Sequence, residues 1–258
     1  QLIGAIAGAF AYIPVAHIQA GELSGNIDGA TRHAIGKFAH IHFASNYDAE
    51  QRLLKLGEEP FRVHNVGAPQ IDEMVNLKIS SRDKIIKKYN FDLNKKYMLF
   101  IQHPVTEDYE NALSQIKISI SAVETFDIPK IVILPNNDAG SNIIKSEIQK
   151  TSNDFFIFSN LKRESFMAFL KHSSLIIGNS SCGLLEAPTF KIPSVNIGRR
   201  QKGRVKGENV IDVDFDKNKI IEAINKCLDP VFREHLNNNC QNPYGDGKSS
   251  ERILNILR

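Results

Sequence analysis

Cysteine is scarce in this 258-residue chain, which carries only Cys182, Cys227 and Cys240. Three thiols so scattered cannot build a disulfide framework, and none stands at the paired spacing of a metal site, so a reducing cytoplasm is the expected setting. A long hydrophobic run is missing as well. Residues 2–16 are nearly all apolar, yet no basic region precedes them and Pro14 interrupts them. They also fall short of the roughly 20 residues that a membrane helix requires. A buried helix running into a buried strand is expected there instead. Because Gln1 rather than Met opens the chain inside this element, the sequence reads as a fragment whose true N-terminus lies upstream. Charge of one sign is also lacking. The 32 Lys and Arg against 29 Asp and Glu leave a net +3, which demands neither nucleic acid nor an anionic membrane. Internal repeats and low-complexity stretches are absent.

What is present is a globular composition, 42% hydrophobic and 24% charged, with enough length to bury a substantial core. Short apolar runs alternate with amphipathic segments, the pattern of helices packed around parallel strands. Strands are predicted at 15–18, 41–44 and 62–66, with helices at 28–39, 48–56 and just beyond Pro69. From about Ser80 the composition shifts to Lys, Ile and Asn, and a second unit begins with a helix at 80–89. Strands follow at 98–101, 130–134, 155–158, 175–177, 194–196 and 210–213. The helices between and after them fall at 111–124, 141–150, 164–171, 217–228 and 249–257. Two α/β units joined near residue 78 imply two sheets with ligands outside the C-terminal ends of the strands.

Unusual polar residues lie at those ends. Gly178-Asn179-Ser180-Ser181-Cys182-Gly183-Leu184-Leu185-Glu186-Ala187-Pro188 follows a buried strand and opens a short helix. Its free N–H groups and the Ser180 and Ser181 hydroxyls suit an anion, and Glu186 suits a pair of ribose hydroxyls. An ordinary N-cap with a solvated Glu accounts for the same pattern. Gln102-His103-Pro104-Val105-Thr106 ends another strand, where an imidazole can donate to a phosphate, act as an acid, or be merely structural. The turn Pro135-Asn136-Asn137-Asp138-Ala139-Gly140-Ser141 fits either a ligand or helix capping. In the first unit, His17-Ile18-Gln19-Ala20-Gly21-Glu22 precedes Asn26-Ile27-Asp28-Gly29-Ala30-Thr31-Arg32-His33. Asp28 and Arg32 share a helix face, so an ion pair between them is the plain alternative to ligand binding. Glu22, in a glycine-rich loop, fits a ligand better. A basic, glycine-interrupted loop (Arg199, Arg200, Lys202, Arg204, Lys206) suits anionic phosphates, whereas nucleic acid would call for interleaved aromatics.

In this order, the clusters resemble the hydrolysing UDP-N-acetylglucosamine 2-epimerases, a family of bacterial capsule enzymes and the epimerase half of the animal bifunctional sialic-acid enzyme. The matching segments are 17–22, 27–33, 102–106, 135–141, 178–188, 198–210 and 244–247. The resemblance implies an α/β, glycosyltransferase-B-like fold of two Rossmann-like domains facing across a cleft, the first incomplete. Residues 1–78 with a returning helix at 247–258 would form the sugar-side domain, and 79–246 the UDP-binding domain. It further implies that Ser180 and Ser181 bind phosphate, Glu186 the ribose, His103 and Arg200 the diphosphate side, and Asn136 the nucleotide. Glu22 and Asp28 would face the sugar as acid and base, beside Arg32 as a substrate-binding cation, with His103 the third catalytic candidate. The implied reaction converts UDP-N-acetylglucosamine to N-acetylmannosamine and UDP through a 2-acetamidoglucal, without metal or other cofactor. Relatives acting on UDP-N,N′-diacetylbacillosamine or GDP-N-acetylglucosamine, a glycosyltransferase of the same fold, and a non-catalytic sugar-nucleotide module remain alternatives. Family members assemble as dimers or tetramers. Gln19 stands where many of them carry Glu or His. Their N-terminal stretch, which supplies a phosphate-binding arginine and a catalytic aspartate, has no counterpart here, so the fragment is expected to be weakly active or inactive.

Overall fold

A computed structural model describes residues 1–23 and 28–258, leaving aside the side chain of Asp28. The chain divides into two compact units. The first gathers Gln1–Asn76, Lys202–Val205 and Asn242–Arg258; the second holds Leu77–Gln201 and Lys206–Gln241.

The first unit opens with α1 (Leu2–Phe10), β1 (Ala16–Ala20), α2 (Asp28–Phe38) and β2 (Ile41–Ala44). It continues with α3 (Tyr47–Lys55), β3 (Val63–Asn65) and α4 (Pro69–Asn76). The three strands pair in parallel in the order β1-β2-β3. Helix α1 forms as expected but is not buried. It packs on α2 with Ala5 as its buried residue, so Ile3 and Phe10, on other faces, are 82% and 77% exposed. Strand β1 is likewise only partly covered. Behind β2, a buried polar chain fixes the sheet to its flank: Glu58 accepts from Lys37 Nζ at 2.6 Å and contacts His42 Nε2 at 3.2 Å. His42 is fully buried, and burial lowers its pKa against the opposing pull of Glu58, so the neutral ring is favoured.

The second unit contains α5 (Arg82–Tyr89), β4 (Met98–Ile101), α6 (Ala112–Val123), β5 (Lys130–Ile133) and α7 (Ser141–Ile148). Next come β6 (Phe155–Phe158), α8 (Arg163–His172), β7 (Leu175–Gly178) and α9 (Cys182–Leu185). The unit ends with β8 (Ser194–Ile197), β9 (Val210–Val213), α10 (Lys217–Leu228) and α11 (Pro230–Asn239). Its six strands are parallel in the order β6-β5-β4-β7-β8-β9, so the winding reverses between β4 and β7. Alternate residues of β4 feed two cores. Met98 and Phe100 join Ile116, Val132, Ile177 and Ile220 on one face, while Leu99 and Ile101 join Tyr97, Phe169 and Ile176 on the other. Burial on both faces explains why β4 and β7 read as apolar runs, whereas β8, equally buried, carries Ser194 and Asn196 between its apolar residues.

Helix α12 (Ser249–Leu257) returns to the first unit. That unit resumes at Asn242, ahead of the expected 247, because Tyr244 is buried and its hydroxyl donates to the Val205 carbonyl at 3.0 Å. The α12 start is capped from far away in sequence. Asp72 of α4 accepts from the Ser249 N–H at 2.9 Å and the Ser250 N–H at 2.6 Å. Burial disfavours the Asp72 carboxylate, but these bonds outweigh it and hold its pKa below the ordinary value. Replacing Asp72 with Ala strips two helix N–H groups of their acceptor and should destabilise the first unit by about 2 kcal/mol. Hydrogen exchange should then accelerate in α12 while β4 and β7 stay protected; unchanged α12 protection would refute the cap.

Candidate functional site

A parallel sheet opens a crevice where its winding reverses, because the loops after the two central strands run to opposite faces. Here that point lies between β4 and β7. Gly178 ends β7 at φ +126°, and a Cβ there would meet the Ile101 carbonyl oxygen at 2.0 Å. Only glycine permits that approach. Asn179, 2% exposed, then ties three strand exits together. Its N–H donates to the Ile101 carbonyl at 3.1 Å, its Oδ1 accepts from the His103 N–H at 2.7 Å, and its Nδ2 donates to the His103 carbonyl at 2.8 Å. Its own carbonyl accepts from Arg200 Nη1 at 3.2 Å and Gln201 Nε2 at 2.8 Å. Sequence reasoning passed over both Asn179 and Gln201. The signal available was a polar residue directly after a strand-ending glycine.

The main chain of His103 is therefore fixed. Its Nδ1 lies 3.3 Å from Asn136 Oδ1 and 3.4 Å from the Asn136 N–H. Burial, with the Arg200 cation beside it, lowers its pKa to about 4, so the ring is neutral at neutral pH. It can donate or accept one hydrogen bond there, which fits contact with a phosphate oxygen better than proton donation as an imidazolium. Side-chain capping of α7 by Asp138 or Ser141, one of the two readings of this turn, does not occur. Gly140 holds the cap position without a side-chain bond, and Asp138 instead accepts from Asn136 Nδ2 at 2.7 Å.

Next to His103 a cavity of about 340 Å³ runs over the ends of β4, β5 and β6. Ser180, Ser181 and Glu186 line it, joined by Arg163 and Phe166 from α8. Helix α9 has only four residues, too few for a useful dipole, so the anion site expected here rests on the serine hydroxyls and loop N–H groups. Cys182 is an inert neighbour, its thiol pushed up to about 12 by burial and by Glu186, donating to Ser180 Oγ at 3.0 Å. Glu186 is not a freely solvated carboxylate, because Arg163 Nη1 donates to its Oε1 at 2.8 Å. Arg163 carried no warning in sequence, since its partner lies 23 residues away. Of the basic loop, only Arg200 joins the cluster. Arg199 pairs with Asp108 at 3.7 Å, Lys206 pairs with Asp212, and Arg204 Nε donates to the Leu23 carbonyl at 3.3 Å.

In the first unit the end of β1 is built under strain. Gln19 has φ +56° at a register break between Ile18 and Ala20, and its Nε2 donates to Gln70 Oε1 at 2.9 Å. Gly21, at φ +75°, lies where a Cβ would press to 2.3 Å from the Ala49 carbonyl oxygen. This turn carries Glu22 into a nearly buried position, where Ser45 Oγ donates to Oε1 at 2.6 Å. Arg32 lies 3.8 Å from Oε2. Arg32 thus pairs with Glu22, a partner the helical spacing did not suggest. Asp28 begins α2, but its side chain lies outside the described residues. Arg32 also lines a cavity of about 540 Å³ with His17, whose pKa is lowered to about 4 by burial, then by His42 and Arg32. Among the described residues no three His, Cys, Asp or Glu side chains converge as a metal site would need, and no helix is long and apolar enough to cross a membrane.

A family model described as UDP-N-acetylglucosamine 2-epimerase matches residues 1–258. The chain belongs to this family. It is 38% identical over 260 residues to the UDP-N,N′-diacetylbacillosamine 2-epimerase (hydrolyzing) of Legionella pneumophila, covering 100% of this chain and 68% of that protein. It is 36% identical to a UDP-N-acetylglucosamine 2-epimerase of Neisseria meningitidis, covering 86% of this chain and 59% of that one. The chain therefore spans between 59% and 68% of the length of these two relatives. A crystal structure of UDP-GlcNAc 2-epimerase from Neisseria meningitidis bound to UDP-GlcNAc superposes with a TM-score of 0.83 at 21% identity, covering 99% of this chain and 72% of that one. The expected fold class, α/β with parallel sheets of the glycosyltransferase-B-like kind, is the one this family member has.

Two outcomes follow from the geometry. Asn179→Ala should cost about 2–3 kcal/mol by orphaning both His103 backbone groups, and the loss should appear in the urea midpoint. The histidines set a pH dependence. His17 and His103 have folded pKa values below the unfolded 6.5, so the unfolded chain binds more protons as pH falls. Stability is full above about pH 6.5 and declines towards pH 4, by about 1 kcal/mol per histidine between pH 7 and 5 after discounting for residual solvation. Thermal melts at pH 7 and 5 should show this, and His103→Asn should narrow the difference. An identical pH response in that variant would remove His103 from the account.

Proposed function

We propose that the second unit binds the nucleoside diphosphate of a UDP-2-acetamido sugar, and that the chain serves a hydrolysing 2-epimerase. The observation that carries this is the Asn179 junction. It sets His103, Ser180, Ser181 and Arg200 around the crevice at the strand reversal, beside a cavity that ends at the Arg163–Glu186 pair. A neutral imidazole, two hydroxyls and a guanidinium are suited to stabilise a departing diphosphate, and charge developing on a leaving group is where fixed donors help most. Glu186 is suited to the ribose hydroxyls, and Asn136 sits against His103 on the nucleotide side.

The first unit is proposed as the sugar side. Glu22 is buried and held by Ser45, and together with Asp28 it supplies the acid and base, with Arg32 as the substrate-binding cation. A base removes the proton on sugar carbon 2 as the bond from carbon 1 to the UDP oxygen breaks, leaving a 2-acetamidoglucal. Water then delivers hydroxyl to carbon 1 and a proton to the opposite face of carbon 2. The carbon-2 proton is weakly acidic, so a positioned carboxylate is required. A substrate with a second acetamido group, UDP-N,N′-diacetylbacillosamine, is the alternative favoured by the 38% identity to the Legionella pneumophila enzyme.

Calorimetry with UDP tests the nucleotide half directly. Ser180→Ala and Glu186→Gln should each weaken UDP binding about fivefold to tenfold, whereas Glu22→Gln should leave it unchanged. Unchanged affinity in both of the first two variants would move the nucleotide elsewhere. For the reaction, turnover by the whole protein in deuterated water should place deuterium on carbon 2 of the released sugar, and comparing the two sugar nucleotides identifies the substrate.

A further inference from the structure

Away from the nucleotide cavity, the second unit has another hollow, of about 850 Å³, between the start of α5 and the first turn of α8. Lys78, Lys84, Lys87, Lys88 and Lys162 line it against one carboxylate, Glu164. This is the lysine-rich stretch where the composition shifts, and the proposed function leaves it unused. Among the described residues Lys37, Lys130, Lys150 and Lys206 have carboxylate partners. Among the described residues none of these five has an ion-pair partner; Lys88 merely sits over the Tyr89 ring at 4.9 Å. Five like charges around one concavity repel each other until an anion enters. The rest of the lining is serine and a single apolar residue, Ile79, with no aromatic platform for bases. The hollow is also larger than one phosphate needs, and its cations stand on two separate elements.

We infer that this hollow binds an oligophosphate, either a free chain of linked phosphates or the phosphate tail of a nucleotide. Lysines serve such a ligand as point charges that follow a run of phosphates without demanding one geometry. The hollow is separate from the nucleotide cavity. Within the first turn of α8, Arg163 and Phe166 line that cavity, while Lys162, Glu164 and Ser165 line this hollow.

The test is calorimetry with inorganic tripolyphosphate at low ionic strength, with saturating UDP filling the nucleotide cavity, on three proteins. These are the unmodified chain, the Lys84→Gln/Lys87→Gln/Lys162→Gln variant and Arg200→Ala. All three substituted lysines are exposed, so the fold should survive, which circular dichroism checks. Saturable one-site binding is expected, weakened about thirtyfold in the lysine variant and unchanged in Arg200→Ala. Equal affinity in the lysine variant, loss in Arg200→Ala, or binding that never saturates would overturn the assignment. An ATP arm separates the sources: tighter binding than tripolyphosphate points to a nucleotide, equal or weaker binding to a free chain. UDP affinity of the lysine variant reports on the nucleotide cavity independently, so the two readings can fail separately.

Discussion

The second unit is organised around one buried amide. Asn179 bonds five groups from its 2%-exposed position, and through them joins the exits of β4 and β8 to its own at the end of β7. A strand end alone would leave each loop free to choose its own path. Because Asn179 clamps the His103 backbone on both sides, the main chain that carries the imidazole cannot shift without breaking bonds that are expensive to leave unmade. Gly178 makes the clamp possible by letting β7 press against the Ile101 carbonyl. Positioning, more than any single reactive group, is what the sheet reversal supplies.

Much of this architecture was legible beforehand, and for a physical reason. Strands buried on both faces announce themselves as apolar runs, so β4, β5 and β7 fall where the sequence suggested. The polar segments after them were also visible, because loops at strand ends are where unexplained Ser, His and Asn stand out. What stayed hidden depends on distance in the chain. Arg163 reaching Glu186, Ser45 reaching Glu22 and Asp72 capping α12 are contacts that no local pattern encodes. Two misreadings have equally plain causes. Helix α11 escaped notice because Leu236 is its one buried residue and no stripe marks it, although the Asp229-Pro230 start was there to read. Helix α1 looked buried because apolarity was equated with burial, and a helix can carry apolar side chains on more faces than it covers.

The two units differ in how they hold charge. The second gathers lysines around the start of α5, where Glu164 is the one carboxylate lining the same hollow. The first buries a carboxylate twice over, Glu22 with Ser45 and Arg32, and Glu58 with Lys37 and His42. A buried carboxylate kept in place by short bonds is a rigid object. That rigidity sits beside a strained turn, where Gln19 adopts a conformation that costs about 1–3 kcal/mol for a residue with a side chain. Such strain persists only where neighbours enforce it, here the bond to Gln70 and the close passage of Gly21 over α3.

The bond from Asp72 to Ser249 spans 177 residues, with the whole second unit lying between its partners. On the ribosome, at roughly 5–20 residues per second, the early half of that contact waits about 10–35 seconds for the late half to be made. During this interval the three-stranded sheet has no α12 to cover Phe43 and Val66, the residues that Ile253 later joins. The inserted unit, whose strands are contiguous in sequence, can fold in the meantime. Maturation is thus ordered from the middle outward: β1 to β3, though translated ahead of the second unit, gain their last cover only after it has been made.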